Sequence, residues 1–282
     1  FNDLEVGDIV RVEVEPEKFG RIAAQTARQV IIQRLKDAER QIIYEEFSDK
    51  IGDLINGVVF KSEDEQVLVR LNDRTEAILP REERIVGESY ALGSRMKFYL
   101  VEVRQTTRGP KIIVSRSHPG LLRRLLELEI PEVREGTIEI KEIVRESGVR
   151  AKVAVSTLDQ NVDPVGACIG SGGARIKSIS KELGGERIDV VVWNSDPLAF
   201  IRNALSPARV LKVEPVLEQE RSVQVFVRPD HLSLAIGKAG QNVRLAARLT
   251  KWKIDIKVLE PEKLPTLQDL FDELVNPEEA ES

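Results

Sequence analysis

Two glycine turns carry the residues best placed for chemistry. Gly170-Ser171-Gly172-Gly173 and Gly237-Lys238-Ala239-Gly240 both have the form Gly-x-x-Gly and stand 67 residues apart. Glycine at both ends of such a turn permits backbone conformations closed to other residues and leaves no side chain to hold a ligand away. A nucleic-acid backbone can then lie against the turn, with amide N–H groups and the N-terminus of the following helix facing its phosphates. Positive charge for phosphate contact comes from Arg175 and Lys177 after the first turn, and from Lys238, Arg244 and Arg248 in and after the second, with Gln241 and Asn242 opening the second helix. For either turn taken singly, a tight helix-turn-helix corner that needs glycine only for packing is the alternative.

Other chemistries fail on spacing or supply. A P-loop requires Gly-x-x-x-x-Gly-Lys followed by Ser or Thr, whereas Ala239 follows Gly237-Lys238, and no Gly-x-Gly-x-x-Gly surrounds Gly170. Cys168 is the single cysteine, so no internal disulfide forms; with His118 and His231 as the only histidines, no convincing zinc site and no metal or cofactor is expected. Cys168 reads as a small buried hydrophobe, His118 as a linker residue and His231 as a capping-region residue. Trp193 and Trp252 read as core or inter-module packing. The pairs Glu45-Glu46 and Glu82-Glu83 are adjacent in sequence and poorly placed to share one site.

The elements that must hold the turns occur twice. The first copy reads as helix (121–128), strand (137–144), strand (150–157), short helix, turn, helix (174–183) and strand (187–193). The second reads as helix (198–205), strand (210–216), strand (222–228), short helix, turn, helix (241–249) and strand (253–259). Ile169 to Ile176 aligns with Ile236 to Val243, and Asp163 and Asp230 each lie seven residues before the first loop glycine, where either would cap the short helix. This is the pattern of a KH module, whose Gly-x-x-Gly loop clamps about four nucleotides of a single strand. Ile169, Ile176, Val190 and Ile236, Val243, Ile256 supply core and an aliphatic groove for bases.

Upstream, residues 3–15 read as strands ending at Pro16, and Ala24, Ala27, Ile31, Leu35, Ala38 and Ile42 form one face of a helix from Gly20 to about Phe47. The start at Phe1 suggests a chain that begins inside a domain. Between Ile51 and Ser115 the period shortens toward two, with an Asn72-Asp73 hairpin turn; about five short strands suggest a small OB-type barrel, or else a sandwich fragment. The net charge of -5 is segmental: residues 201–260 carry 11 basic and 6 acidic side chains, and residues 261–282 carry 1 and 7. The tail has apolar residues at helical spacing from Leu264 to Val275 and reads either as a short amphipathic helix or as frayed chain. No apolar run approaches the roughly 20 residues of a membrane span, and no secretory pattern is present.

Several stretches resemble the NusA family of bacterial transcription elongation, termination and antitermination factors. Phe19-Gly-Arg-Ile-Ala-Ala-Gln-Thr-Ala-Arg-Gln-Val-Ile31 is similar to the end of that family's polymerase-binding N-terminal domain, and Asp163-Pro-Val-Gly-Ala-Cys-Ile-Gly170 to its first KH motif. Glu182-Leu-Gly-Gly-Glu-Arg-Ile-Asp189 and Ala235-Ile-Gly-Lys-Ala-Gly-Gln-Asn-Val-Arg-Leu-Ala246 match equally well. The resemblance covers residues 1–260 and implies an α+β, multidomain chain. Its units would be the helical end of an N-terminal domain (1–48), a five-stranded OB-type β-barrel of the ribosomal S-one kind (49–117), tandem bacterial-type KH domains with αββααβ order (118–196 and 197–260) and an acidic tail (261–282).

The resemblance further implies a monomeric, cytoplasmic, non-enzymatic factor. It would bind single-stranded nascent RNA, RNA polymerase core and other Nus antitermination factors, and have no membrane partner. Two departures matter. The first loop has Ser171-Gly172 where relatives often carry a bulky or basic residue, and Asp64-Glu65-Gln66 replaces the aromatic pair of many S-one barrels. Barrel contacts to RNA are therefore assigned to Lys61, Arg104, Arg108, Lys111 and Arg116, with Phe60, Phe98 and Tyr99 read as barrel core ahead of the alternative, stacking on bases. An RNA-processing exoribonuclease would carry the same modules but with KH before barrel; a ribosome-associated RNA-binding protein is the other alternative.

Overall fold

The computed structural model describes residues 20–217 and 221–259. The readings for residues 3–15 and for the tail lie outside them. Helix α1 spans Arg21–Ser48, a run without glycine or proline, supported by i,i+4 contacts such as Gln33 to Asp37, Gln41 to Glu45 and Lys50 to Glu46. Its last turns pack on the barrel through Ile43, Tyr44 and Phe47, with Phe47 buried. The sequence-derived stripe is open: Ile31, Leu35 and Ile42 are about 60% exposed. The described residues do not cover it.

Strands β1 (Leu54–Ser62), β2 (Gln66–Arg70), β3 (Glu76–Pro80), β4 (Arg95–Thr106) and β5 (Gly109–Ser115) close into a barrel of order β1-β2-β3-β5-β4. Inward residues alternate as the two-residue period demands, with Val59, Val67, Val69, Ala77, Leu79, Phe98, Leu100 and Val114 fully buried. Gly57 allows the strands to close, because a Cβ there would sit 2.2 Å from Val69 Cγ1. Leu71 N donates to Thr75 O across the hairpin turn at Asn72-Asp73.

The first repeat comprises α2 (Pro119–Glu129), a short α3 (Pro131–Arg134), β6 (Ile138–Glu146), β7 (Arg150–Thr157), α4 (Pro164–Ile169), α5 (Ala174–Glu182) and β8 (Arg187–Val192). The second comprises α6 (Pro197–Ala204), β9 (Val210–Leu217), β10 (Ser222–Val227), α7 (Pro229–Ile236), α8 (Gln241–Thr250) and β11 (Lys253–Val258). In each, the second strand is central, antiparallel to the first and parallel to the last. Apart from α3, which the sequence pattern did not indicate, the two follow one αββααβ plan.

The modules are welded together. Tyr99 of β4 packs against the first KH core and stacks on His118 at 4.5 Å, while His118 Nδ1 accepts from Gly120 N and so caps α2. Arg145 and Glu186 form a fully buried bidentate pair, and Arg145 Nη1 also donates to the carbonyls of Arg116 and His118 at 2.9 and 3.1 Å. Val144, Ala154 and Val191 of the first KH sheet share a core with Ile201, Leu205, Leu245 and Leu249 of the second module, flanked by Trp193 and Trp252. The tryptophans thus pack between modules, as their positions suggested. Among the described residues no helix is long and apolar enough to cross a membrane.

Candidate nucleic-acid interface

Both Gly-x-x-Gly segments join a short helix to a longer one through a single 3-10 turn. Gly170 and Gly237 leave α4 and α7 at φ 73°, ψ 171° and φ 75°, ψ 171°; Gly173 and Gly240 enter α5 and α8 at φ 78°, ψ 18° and φ 72°, ψ 14°. The agreement holds although the residues between differ. All four glycines have positive φ, where a Cβ is costly. Among the described residues no side chain caps the N-terminus of α5 or α8, whereas Asp163 caps α4 and Asp196 caps α6. Two helix N-termini, with the positive end of the peptide dipole, therefore open directly onto the loops.

Side chains brace each loop at equivalent positions. Lys177 Nζ donates to Gly172 O at 2.8 Å, and Arg244 Nη1 to Ala239 O at 3.3 Å. Arg175 Nη1 donates to Ala167 O at 2.6 Å, and Asn242 Nδ2 to Leu234 O at 3.1 Å. Lys177 and Arg244 are exposed, so each braces a loop while presenting its charge beside it. Lys238 is exposed inside the second loop, and no hydrogen bond or ion pair engages it among the described residues. Ser171, Gly172 and Ala239 are exposed too, and Ile169 and Ile236, each just before its loop, are 38% and 37% exposed. Gln241 is half-buried at the start of α8.

Arg244 and Arg248 also reach the first module. Arg244 Nε donates to Glu146 Oε1 at 2.8 Å and Arg248 Nη1 to Arg145 O at 3.5 Å. The Arg244 hydrogen bond holds the Glu146 carboxyl below its ordinary range despite partial desolvation. The second loop and the first module's sheet are thereby linked by charge as well as by core.

Of the sequence-derived contact residues, Arg116 and Asn242 are buried away from solvent, and Arg175 is partly buried and already paired. Arg116 is 1% exposed and pairs with Glu88 and Glu182, also donating to Lys97 O at 2.8 Å and Glu182 O at 2.7 Å. Burial disfavours its charge, and these carboxylates more than restore it. It is a tie between barrel and first KH module. Asn242 is fully buried and spends its amide on the carbonyls of Leu205, Leu234 and Ala235. Arg175 is half-buried and paired with both oxygens of Glu132, whose own backbone amide and this guanidinium lower its carboxyl pKa.

Smaller readings also change. Asp163 caps α4 through Val165 N, but α7 starts at Pro229 with Arg228 at the cap position, so Asp230 lies inside the first turn. His231 Nδ1 accepts from Arg209 N and serves the segment before β9. Cys168 is buried behind the first loop, and burial pushes its thiol up to about 11.

On the barrel, Arg108 and Lys111 meet Arg40 and Arg74 around a groove of about 560 Å³ floored in part by Leu68 and Ile78. Lys61 and Arg104 do not line it; they pair with Glu63 and Glu102. Phe98 is core, but Phe60 is not: it is half-buried outside the barrel core with the Arg70 guanidinium 5.0 Å from its ring. Strand alternation was the available signal, since Gly57 and Val59 face inward and leave Phe60 outward.

Family models match three segments: the NusA N-terminal domain at residues 1–41, the NusA-like first KH domain at 116–193 and the NusA-like second KH domain at 197–263. Among curated proteins, the transcription termination/antitermination protein NusA of Halalkalibacterium halodurans is 51% identical over 95% of this chain and 70% of its own length. That of Bacillus subtilis is 53% identical over 89% of this chain and 67% of its own, and that of Thermus thermophilus 48% over 92% and 66%. With the N-terminal segment and both KH modules matched and about half of all aligned residues in common, the chain belongs to the NusA family of transcription termination/antitermination proteins.

Proposed function

We propose that this chain is a non-enzymatic, cytoplasmic RNA-binding transcription factor that holds the nascent single strand while associated with RNA polymerase core, and so modulates pausing, termination and antitermination alongside other Nus factors. In this reading residues 1–48 complete the polymerase-binding unit, 49–117 form the barrel, and 118–196 and 197–260 are the clamps. The observation that carries it is the pair of loops with matching positive-φ glycines, each opening an uncapped helix N-terminus onto exposed cations.

Phosphates would lie on Ser171, Gly172 and Gly173 with Lys177 in the first clamp, and on Lys238, Ala239, Gly240 and Gln241 with Arg244 and Arg248 in the second. Arg108 and Lys111 would extend the path over the barrel. The second clamp should dominate, because Lys238, which has no partner among the described residues, adds a cation where the first loop has Ser171. A pausing assay with cognate polymerase, comparing the parent chain with variants of the two loops, tests the whole reading. Equal pausing by parent and variants would exclude it.

A further inference from the structure

Arg175 and Asn242 occupy the same position in the two repeats and do the same work. Each is the second residue of the helix after its loop, and each donates to the carbonyl three residues before the first loop glycine, Ala167 O or Leu234 O. One hydrogen bond thus ties the two helices that the loop joins. The remaining donors differ. Arg175 is backed by Glu132 on α3, whereas Asn242, with a shorter side chain, adds the carbonyls of Ala235 and of Leu205, the C-cap residue of α6. The orientation of the Asn242 amide is fixed, because a flip would set its oxygen against three carbonyl oxygens.

The first loop glycine belongs to this arrangement. A Cβ on Gly170 would lie 2.9 Å from Arg175 Cγ, and one on Gly237 would lie 2.8 Å from both Cβ and N of Asn242. By contrast, a Cβ on Gly172 or Gly240 would meet nothing within 4 Å among the described residues. The first glycine therefore makes room for the tie, and the exposed remainder of the loop is left to face a ligand.

We propose that Arg175 and Asn242 are positioning residues, which lock the helix pair so that the loop amides hold their ligand-ready corner, and that neither touches RNA. The proposal rests on the RNA-clamp reading above. It separates Arg175, a cation in the sequence beside a phosphate loop, from the cations that neutralise phosphate.

The test is a titration of the full chain with labelled mixed-sequence single-stranded RNA over a salt series, comparing Arg175→Asn and Arg175→Ala, with thermal melts and amide exchange on each. Arg175→Asn installs the second repeat's solution and is expected to keep affinity within about twofold and the salt slope unchanged. Arg175→Ala is expected to weaken binding about tenfold through loss of the tie to Ala167 O, with the same slope and with faster exchange confined to the loop amides. A slope reduced by about 0.7 in Arg175→Asn, with an unchanged melt, would mean that Arg175 neutralises a phosphate, and would overturn the proposal. So would parental affinity in Arg175→Ala. If Arg175→Ala does not fold, the Arg175→Asn slope decides alone. Absence of RNA binding by the parent chain would remove the clamp reading itself, and the proposal with it.

Discussion

Gly172 and Ala239 stand 67 residues apart and take the chain through the same left-handed corner, at φ 59°, ψ 17° and φ 50°, ψ 31°. The third loop position therefore tolerates a side chain, and that side chain points into open space. The first position does not, since Gly237 faces the backbone N of Asn242. Loss-of-binding variants should be placed at the middle of the loop, where the fold has nothing at stake.

Lys238→Asp combined with Ala239→Asp is expected to weaken single-stranded RNA binding by about tenfold or more without moving the melting temperature, because aspartate tolerates the left-handed region better than most residues and both positions are exposed. Its log K against log salt should be flatter than the parent's, by about 0.7 for each phosphate no longer neutralised. Gly237→Ala should lower the melting temperature instead. Fluorescence anisotropy and calorimetry separate the two, and parental affinity in the double variant would remove the second loop from the binding site.

The repeat was legible because its two copies agree in register, and predicted strand and helix ends fall within about two residues of those observed. The destinations of the charges were not. Arg116 resembles a phosphate ligand until Glu88 and Glu182, 28 and 66 residues away, close around it. Nothing local in sequence announces such partners. One signal was present and unused: Val153-Ala154-Val155 in β7 is an unbroken apolar run, as expected of a strand buried on both faces, with helices α2 and α5 on one side and the second KH module on the other.

Glu186→Gln is expected to destabilise the first KH module by about 3–5 kcal/mol, since it leaves the Arg145 guanidinium buried without its counter-charge. Arg145 also holds the carbonyls of Arg116 and His118, so the segment leading into α2 should become cleavable by protease. Urea titration and limited proteolysis report both effects. A midpoint unchanged from the parent would show the pair to be dispensable.

Cys168 should resist alkylation at pH 8 in the folded chain and react readily in denaturant. Burial pushes its thiol up to about 11, so little thiolate forms, and the residue is 1% exposed behind the first loop. Mass spectrometry after a timed iodoacetamide pulse reads this directly. Rapid native labelling would mean that α4 and the loop open far more often than their packing implies.

Lys152 gives a pH dependence of defined sign. It is fully buried on β7, donating to Asp189 at 3.1 Å and to Ser206 O at 2.9 Å across the joint between KH modules. Burial lowers its pKa below 10.5, and the attraction of Asp189 only partly offsets this. Between the folded value and 10.5 the unfolded chain holds more protons than the folded one, so stability rises with pH across that window. The full benefit is present only above the unfolded value and is lost as pH falls through the folded one. Lys152→Met removes this titration while Asp189 keeps Arg150 as its partner. The stability difference between parent and Lys152→Met should therefore shift in the parent's favour as pH rises from neutral toward 10.5, whatever its value at neutral pH. Parallel stability curves over that range would mean that the buried amine titrates as it does in the unfolded chain, and that the joint between the modules admits water.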